Sequence, residues 1–140
     1  MSALNKVLLI GNLGKEPEVK HLEAGHVKVT FQLATTEHYK NKEGQKQEQT
    51  EWHTVIAWRG LAESLEKLQL KKGTMLYVEG KIRTRMYEDK EGIKRNVTEI
   101  VADVVSILKR PLNGDNHNGV HETKSLSTTE TPGPAGDLPF

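Results

Sequence analysis

Residues 50–70, "TEWHTVIAWRGLAESLEKLQL", change their pattern of apolar residues part-way along. The first nine residues are rich in β-branched and aromatic side chains, which is typical of a strand. From residue 59 onward leucines recur at intervals of four and then three, which predicts an amphipathic helix over 59–70. Lys72-Gly73 then ends the helix. The chain therefore passes directly from a strand into a helix.

Strand patterns lie on both sides of this stretch. Residues 6–13 form a strand that ends in the turn "GNLG". In residues 27–34 a large apolar side chain stands at every second position, which is the two-residue period of a strand. The segment "KNKEGQKQEQ" (40–49) has no apolar residue and predicts a solvent-exposed loop. Residues 74–88 and 93–108 form two more strands, joined by the hairpin turn "DKEG". Five strands with a single helix between the third and fourth predict an all-β fold, the OB-fold barrel.

The strand over 74–88 has two chemically different faces. Its even positions are mostly apolar and predict a core face. Its odd positions combine two phenols with three cations: Tyr77, Lys81, Arg83, Arg85 and Tyr87. A core face could not hold three cations without a large desolvation cost. Rings interleaved with cations suit single-stranded nucleic acid, because bases stack on rings and phosphates attract Lys and Arg.

The two tryptophans of the chain, Trp52 and Trp58, are six residues apart and so lie on the same face of their strand. Periodicity alone does not decide whether that face is the core, and tryptophan is more often buried than exposed. The ring-and-cation face of the other strand favours an outward orientation of both rings. His53 then lies on the opposite face, as a packed or subunit-interface histidine.

The charge is distributed unevenly along the chain. The net charge is +1, but residues 1–110 carry +4 and residues 111–140 carry −3. Seventeen of the last thirty residues are Gly, Pro, Ser, Thr or Asn, a composition that cannot bury enough surface to offset its ordering entropy. We therefore expect a folded domain over 1–110 and a disordered tail over 111–140. His117 and His121 in this tail read as solvated side chains rather than metal ligands.

Several classes of function lack support in the sequence. There is no cysteine, which removes disulfides and thiolate sites. The early apolar run "VLLI" is too short for a signal peptide or a membrane span. Phosphate-loop, hydrolase, zinc-protease and dinucleotide motifs are missing as well. We expect no catalytic residue, no metal and no cofactor, and an intracellular, soluble protein that is not an enzyme.

Several segments together resemble one known family, the bacterial single-stranded DNA-binding proteins. They are "NKVLLIGNLGKEPEV", "LATTE", "EQTEWHTVIAWRGLAE", "LKKGTMLYVEGKIRTRMYED" and, after the long tail, "DLPF". The resemblance covers residues 4–108 almost without interruption. It implies an OB-fold subunit that assembles as a homotetramer and coats single-stranded DNA without sequence preference. It also implies a cytoplasmic, nucleoid-associated protein that acts in replication, recombination and repair.

The resemblance assigns roles to individual residues. The stacking aromatics of the family correspond to Tyr39, Trp52, Trp58 and Tyr87. Its phosphate-contacting cations correspond to Lys20, Lys42, Lys72, Arg83 and Arg85. Its partner-docking tip corresponds to Asp137, Leu138, Pro139 and Phe140, with one aspartate where relatives often carry several. Tyr39 and Tyr87 stand where tryptophan is common, which keeps stacking but reduces the ring area.

Two other functions are compatible with the same fold. One is an RNA-binding or RNA-chaperone module, which would bind RNA as tightly as DNA and would not need the "DLPF" tip. The other is a metal-dependent nuclease, which would need clustered carboxylates, and the sequence offers no candidate set. The expected function is therefore non-catalytic binding and protection of single-stranded DNA, with recruitment of replication and repair proteins through the tip.

Overall fold

The computed structural model describes residues 2–112, and within this range the chain is built mainly of strands. The six strands are β1 (Val7–Leu13), β2 (Glu18–His21), β3 (Val27–Lys40), β4 (Lys46–Trp58), β5 (Met75–Glu88) and β6 (Lys94–Lys109). One α-helix, α1 (Arg59–Leu68), follows β4, and a short 3-10 turn (Glu23–Gly25) precedes β3. The predicted tail lies beyond the described range, so the boundary near residue 110 stays a prediction.

Five of these strands close into a barrel. β1 pairs with β5, β5 with β6 and β3 with β4, all antiparallel, while β6 and β4 run parallel. The ring closes where Asn12 and Leu13 of β1 pair with Ala34 and Leu33 of β3. The short strand β2, which the sequence analysis did not identify, pairs only with β3. The helix lies between the third and fourth strands of the barrel, which confirms the predicted OB-fold.

Alternating side chains of the barrel strands form the core. On β3 the predicted two-residue period places Val27, Val29, Phe31 and Leu33 inside, and Val29 and Leu33 are fully buried. Residues of β4 and β5 pack against them, and the core cluster continues around the barrel. The interior is filled by aliphatic side chains and one phenylalanine, so burial of apolar surface stabilises the closed form.

The helix α1 covers part of the core with one face. Ala62 and Leu65 are buried, whereas Leu68, which the heptad-like spacing placed on the apolar face, is 40% exposed. The predicted helix over 59–70 is two residues too long. Gln69 adopts a left-handed conformation (φ 47°) and its amide donates to the carbonyl oxygen of Glu66. This geometry ends the helix before Lys72-Gly73.

The predicted loop over 40–49 was mostly wrong. β3 continues to Lys40 and β4 begins at Lys46. The two strands pair without a break as far as the pair Lys40–Lys46. Only five residues form the turn, in which the Asn41 Oδ1 accepts hydrogen bonds from the amides of Glu43 and Gln45. We call the exposed hairpin over residues 36–51 the β3–β4 arm. Side chains on both of its faces are mostly in solvent, so its sequence carries no apolar alternation.

A second arm, over residues 81–98, is made by β5 and β6. Its turn repeats the first one: the Asp89 Oδ1 accepts from the amides of Glu91 and Ile93, as an aspartate or asparagine turn does. The expected apolar core face of β5 ends at Gly80, because the strand leaves the barrel there. Ile82 is 50% and Met86 66% exposed, so this part of the face prediction was wrong.

Candidate nucleic-acid interface

Both tryptophan rings project from the outside of the barrel. On β4 Val55 and Ala57 are fully buried, while Trp52 is 58% and Trp58 41% exposed. Ile56 shares the parity of the tryptophans but is 3% exposed, at the point where β4 pairs with Val101 of β6. The rings therefore flank a covered position and are themselves accessible. His53 lies on the inner side and its Nε2 is hydrogen-bonded to Thr35 Oγ1 at 2.8 Å.

The strand register connects these rings to the cations of β5. Lys20 of β2 pairs with Lys28 of β3, and Lys28 pairs with Trp58 of β4. Two residues before Trp58, on the same face of β4, Ile56 pairs with Val101 of β6, and Val101 pairs with Lys81 of β5. Residues that pair directly share a face of the sheet. One continuous surface, which we call the outer sheet face, therefore runs across five strands. It presents Lys20, Lys28, Trp52, Trp58, Lys81, Arg83, Arg85 and Tyr87.

The fourth predicted stacking residue lies elsewhere. Tyr39 is 51% exposed on the β3–β4 arm, where it pairs with Gln47. It is an odd number of residues along β3 from Ala34, the residue that pairs with Trp52. It therefore lies on the opposite face of that hairpin from the tryptophans. An open hollow beside it is lined by His38, Tyr39, Lys40 and Lys46. The arm thus carries a ring on the face opposite to that of the tryptophans, with cations beside it.

Trp52 depends on a glycine that the sequence analysis interpreted only as part of a tight turn. Its ring lies against Gly14, and a Cβ at residue 14 would stand 2.3 Å from the Trp52 Cζ3 atom. No side chain larger than hydrogen fits there while the ring keeps its position. Gly14 has no positive φ, so the requirement is the close approach of the ring and not the backbone conformation.

Arg85 is held by a buried carboxylate. Its Nε and Nη2 both donate to Glu99 Oε1, at 3.1 and 2.9 Å, and Glu99 is only 6% exposed. The hydrogen bonds from Arg85 to Glu99 and the attraction between the two charges raise the pKa of Arg85 above its ordinary value. The guanidinium also lies 5.8 Å from the centre of the Tyr87 ring. Arg85 is thus a charge-compensated residue within cation–π range of Tyr87, and its spacing in the sequence did not reveal the compensation.

The other predicted phosphate contacts differ in their surroundings. Lys20 lies 3.6 Å from a carboxylate oxygen of Glu18. Within residues 2–112, Arg83 forms no ion pair, and the same holds for Lys42 in the turn of the β3–β4 arm and for Lys72 in the loop before β5. Asp137, Leu138, Pro139 and Phe140 lie outside the described residues.

Within the part of the chain that the structure describes, no group of three or more His, Asp or Glu side chains is placed to hold a metal ion. The helix in this range is neither long nor apolar enough to cross a bilayer.

A closed five-stranded barrel with an uncovered face of rings and cations places the chain among the OB-fold proteins. Comparison with known sequences is more specific. Residues 4–108 match the model of the Single-strand binding protein family. The chain belongs to this family, which confirms the resemblance found in the sequence.

Relatives and solved structures agree with this membership. Single-stranded DNA-binding protein 1 of Xylella fastidiosa is 48% identical over 109 residues, 77% of this chain and 79% of that protein. The single-stranded DNA-binding protein of Neisseria meningitidis serogroup A is 43% identical over 106 residues; the match covers 76% of this chain and 60% of that longer protein. A Plasmodium falciparum SSB in complex with ssDNA has a TM-score of 0.71 at 30% identity, over 78% of this chain and 98% of that one.

Proposed function

We propose that this protein binds single-stranded DNA without sequence preference and protects it, and that it is not an enzyme. The observation that carries the proposal is the outer sheet face, on which exposed rings alternate with cations and no other element of residues 2–112 covers them. Unpaired bases expose π-faces that stack on such rings, while Lys and Arg meet the phosphates. Neither contact reads the identity of a base, so binding tolerates any sequence. The relatives named for the same activity support this assignment.

The test is a titration of the intrinsic tryptophan emission with single-stranded DNA, duplex DNA and RNA of equal length. We expect strong quenching by single-stranded DNA and weak quenching by duplex, because paired bases cannot stack on Trp52 or Trp58. Equal quenching by duplex would exclude the stacking mechanism. Equal affinity for RNA and DNA would favour the alternative function, an RNA-binding or RNA-chaperone module.

The same proposal includes assembly as a homotetramer. The outer surface of β1 and β6 exposes apolar side chains that a lone barrel leaves in water: Leu8, Ile10, Val104 and Leu108 are 41–58% exposed. Within the described residues, Val7–Gly11 pairs only with β5, so one edge of β1 is open to another strand. Both features suit contacts between copies of the chain.

Light scattering should give four times the subunit mass; a monomer over the range of working concentrations would exclude this assembly.

We further propose that residues 137–140 recruit enzymes of replication, recombination and repair. In a segment rich in Gly, Pro, Ser and Thr, Leu138 and Phe140 are apolar and follow the acid Asp137. An apolar pocket with Lys or Arg at its rim would bind them, and Pro139 would limit the entropy lost on binding. The cytoplasmic, nucleoid-associated location follows from these roles.

Removal of Leu138–Phe140 should abolish capture of repair helicases and nucleases in a pull-down, because the apolar anchor is lost. Affinity for single-stranded DNA should be unchanged or slightly higher in the same variant, since an anionic competitor for the basic outer sheet face is shortened. A variant with Ser127 and Thr128 changed to Ala is a control in the same polar segment. Unchanged capture after the truncation would remove any docking role from these residues.

A further inference from the structure

Lys28 occupies a position on the outer sheet face that neither the spacing nor the family resemblance singled out. Its side chain extends across the neighbouring strand, and its ammonium nitrogen lies 5.3 Å from the centre of the Trp58 ring. This distance is within the range of a cation–π contact. The contact is local and follows from the register, since Lys28 and Trp58 are direct partners in the β3–β4 ladder.

Lys28 differs from two of the predicted phosphate contacts in its charge balance. Arg85 is paired with Glu99 and Lys20 with Glu18. Lys28 forms no ion pair with any carboxylate among residues 2–112, and its partner is an uncharged ring. A phosphate that approaches Lys28 therefore meets a positive charge that no ion pair compensates.

We propose that Lys28 is a DNA-contacting residue coupled to Trp58: when a base stacks on the ring, the ammonium leaves the ring and meets a phosphate of the same strand. Stacking of a base on an aromatic side chain is stronger than a solvent-exposed cation–π contact, so the base displaces the cation. The displaced ammonium keeps its charge beside the bound strand. The inference rests on the proposed function, since it assigns a residue to the same DNA-binding face.

The register also places a second cation, Lys20, beside Lys28. Lys20, Lys28 and Trp58 are successive partners on β2, β3 and β4. Adjacent strands are about 4.8 Å apart, so the row spans roughly 10 Å across the sheet. DNA that stacks on Trp58 and meets Lys28 then has a second cation within reach on β2. This row extends the interface beyond β4, on the side away from the β5–β6 arm.

The test compares the salt dependence of single-stranded DNA binding in Lys28→Met and wild-type protein. For single strands, the slope of log K against log salt changes by about 0.7 for each phosphate contact. We expect Lys28→Met to flatten the slope by about that amount and Lys28→Arg to restore it. Lys67→Met is the matched control, because Lys67 is an exposed lysine on α1 and not on a strand of the outer sheet face. Its slope should equal that of wild type.

A second measurement separates the coupling from the charge. In the free protein, Lys28→Met should change the tryptophan emission and Lys67→Met should not, because Lys28 lies over the Trp58 ring whereas Lys67 lies on α1. An unchanged slope in Lys28→Met, or a gain in affinity without a change of slope, would overturn the proposal, since Lys28 would then only cover the ring. Wild-type protein that fails to bind single-stranded DNA would instead overturn the proposed function, so the two failures are distinguishable.

Discussion

Replacement of Trp52 by Ala should weaken the binding of single-stranded DNA by about 1–3 kcal/mol, which is roughly a 5- to 150-fold rise in Kd. The ring is 58% exposed on the outer sheet face, so its main lost contact is the base that stacks on it. The free energy of unfolding should change little, because the core residues of β4 are Val55 and Ala57. Titration with a fluorescently labelled oligonucleotide measures the affinity, and urea denaturation measures the stability.

Phe31→Ala provides the opposite case for the same two measurements. Phe31 is 1% exposed inside the barrel, and loss of a buried phenylalanine typically costs about 3–5 kcal/mol of stability. Phe31→Ala should lower the free energy of unfolding. Its affinity for single-stranded DNA should fall only under conditions in which the fold is lost. If Trp52→Ala lost as much stability as Phe31→Ala, the Trp52 ring would belong to the structural framework and not to a binding platform.

The parts of the fold that the sequence predicted well are those with one buried face. Val27 to Leu33 alternate because every second side chain of β3 enters the barrel, and the helix after Trp58 shows its own period for the same reason. The β3–β4 arm has no buried face, so the rule that identifies strands has nothing to detect there. Its remaining signal is turn chemistry: "NKEG" at residue 41 matches "DKEG" at residue 89, and both form the same turn.

The candidate site was predictable in its residue types but not in its charge balance. The alternation of rings and cations along β5 is visible in the sequence, because neighbours on one strand have fixed spacing. The compensation of Arg85 is not visible, because Glu99 comes from another strand, and only the register between β5 and β6 brings the two together. The same holds for Lys28 and Trp58, which are thirty positions apart in sequence and adjacent in the sheet.

The predicted turn "GNLG" lies mostly within β1, since Gly11 is a strand residue and Gly14 follows the strand. These two glycines separate the requirements of folding from those of binding. A Cβ at residue 11 would stand 2.3 Å from the backbone oxygen of Ala34, whereas a Cβ at residue 14 would stand 2.3 Å from the Trp52 ring. Neither glycine has a positive φ, so alanine suits both backbones. The two variants add the same methyl group and differ only in what that group meets.

Gly11→Ala should therefore lose about 1–3 kcal/mol of stability, the usual cost of overpacking, because β1 and β3 cannot move apart without opening the barrel closure. Gly14→Ala should keep its stability, since the exposed Trp52 ring can rotate away from the new methyl group. The rotated ring no longer offers the same stacking surface, so we expect Gly14→Ala to lose affinity for single-stranded DNA by up to the full effect of Trp52→Ala. Denaturation and titration of both variants check these outcomes.

In a Trp52→Ala background Gly14→Ala should have no further effect on binding, as two changes that act through one side chain are not additive. An undiminished loss in that background would show that Gly14 acts on DNA binding independently of Trp52.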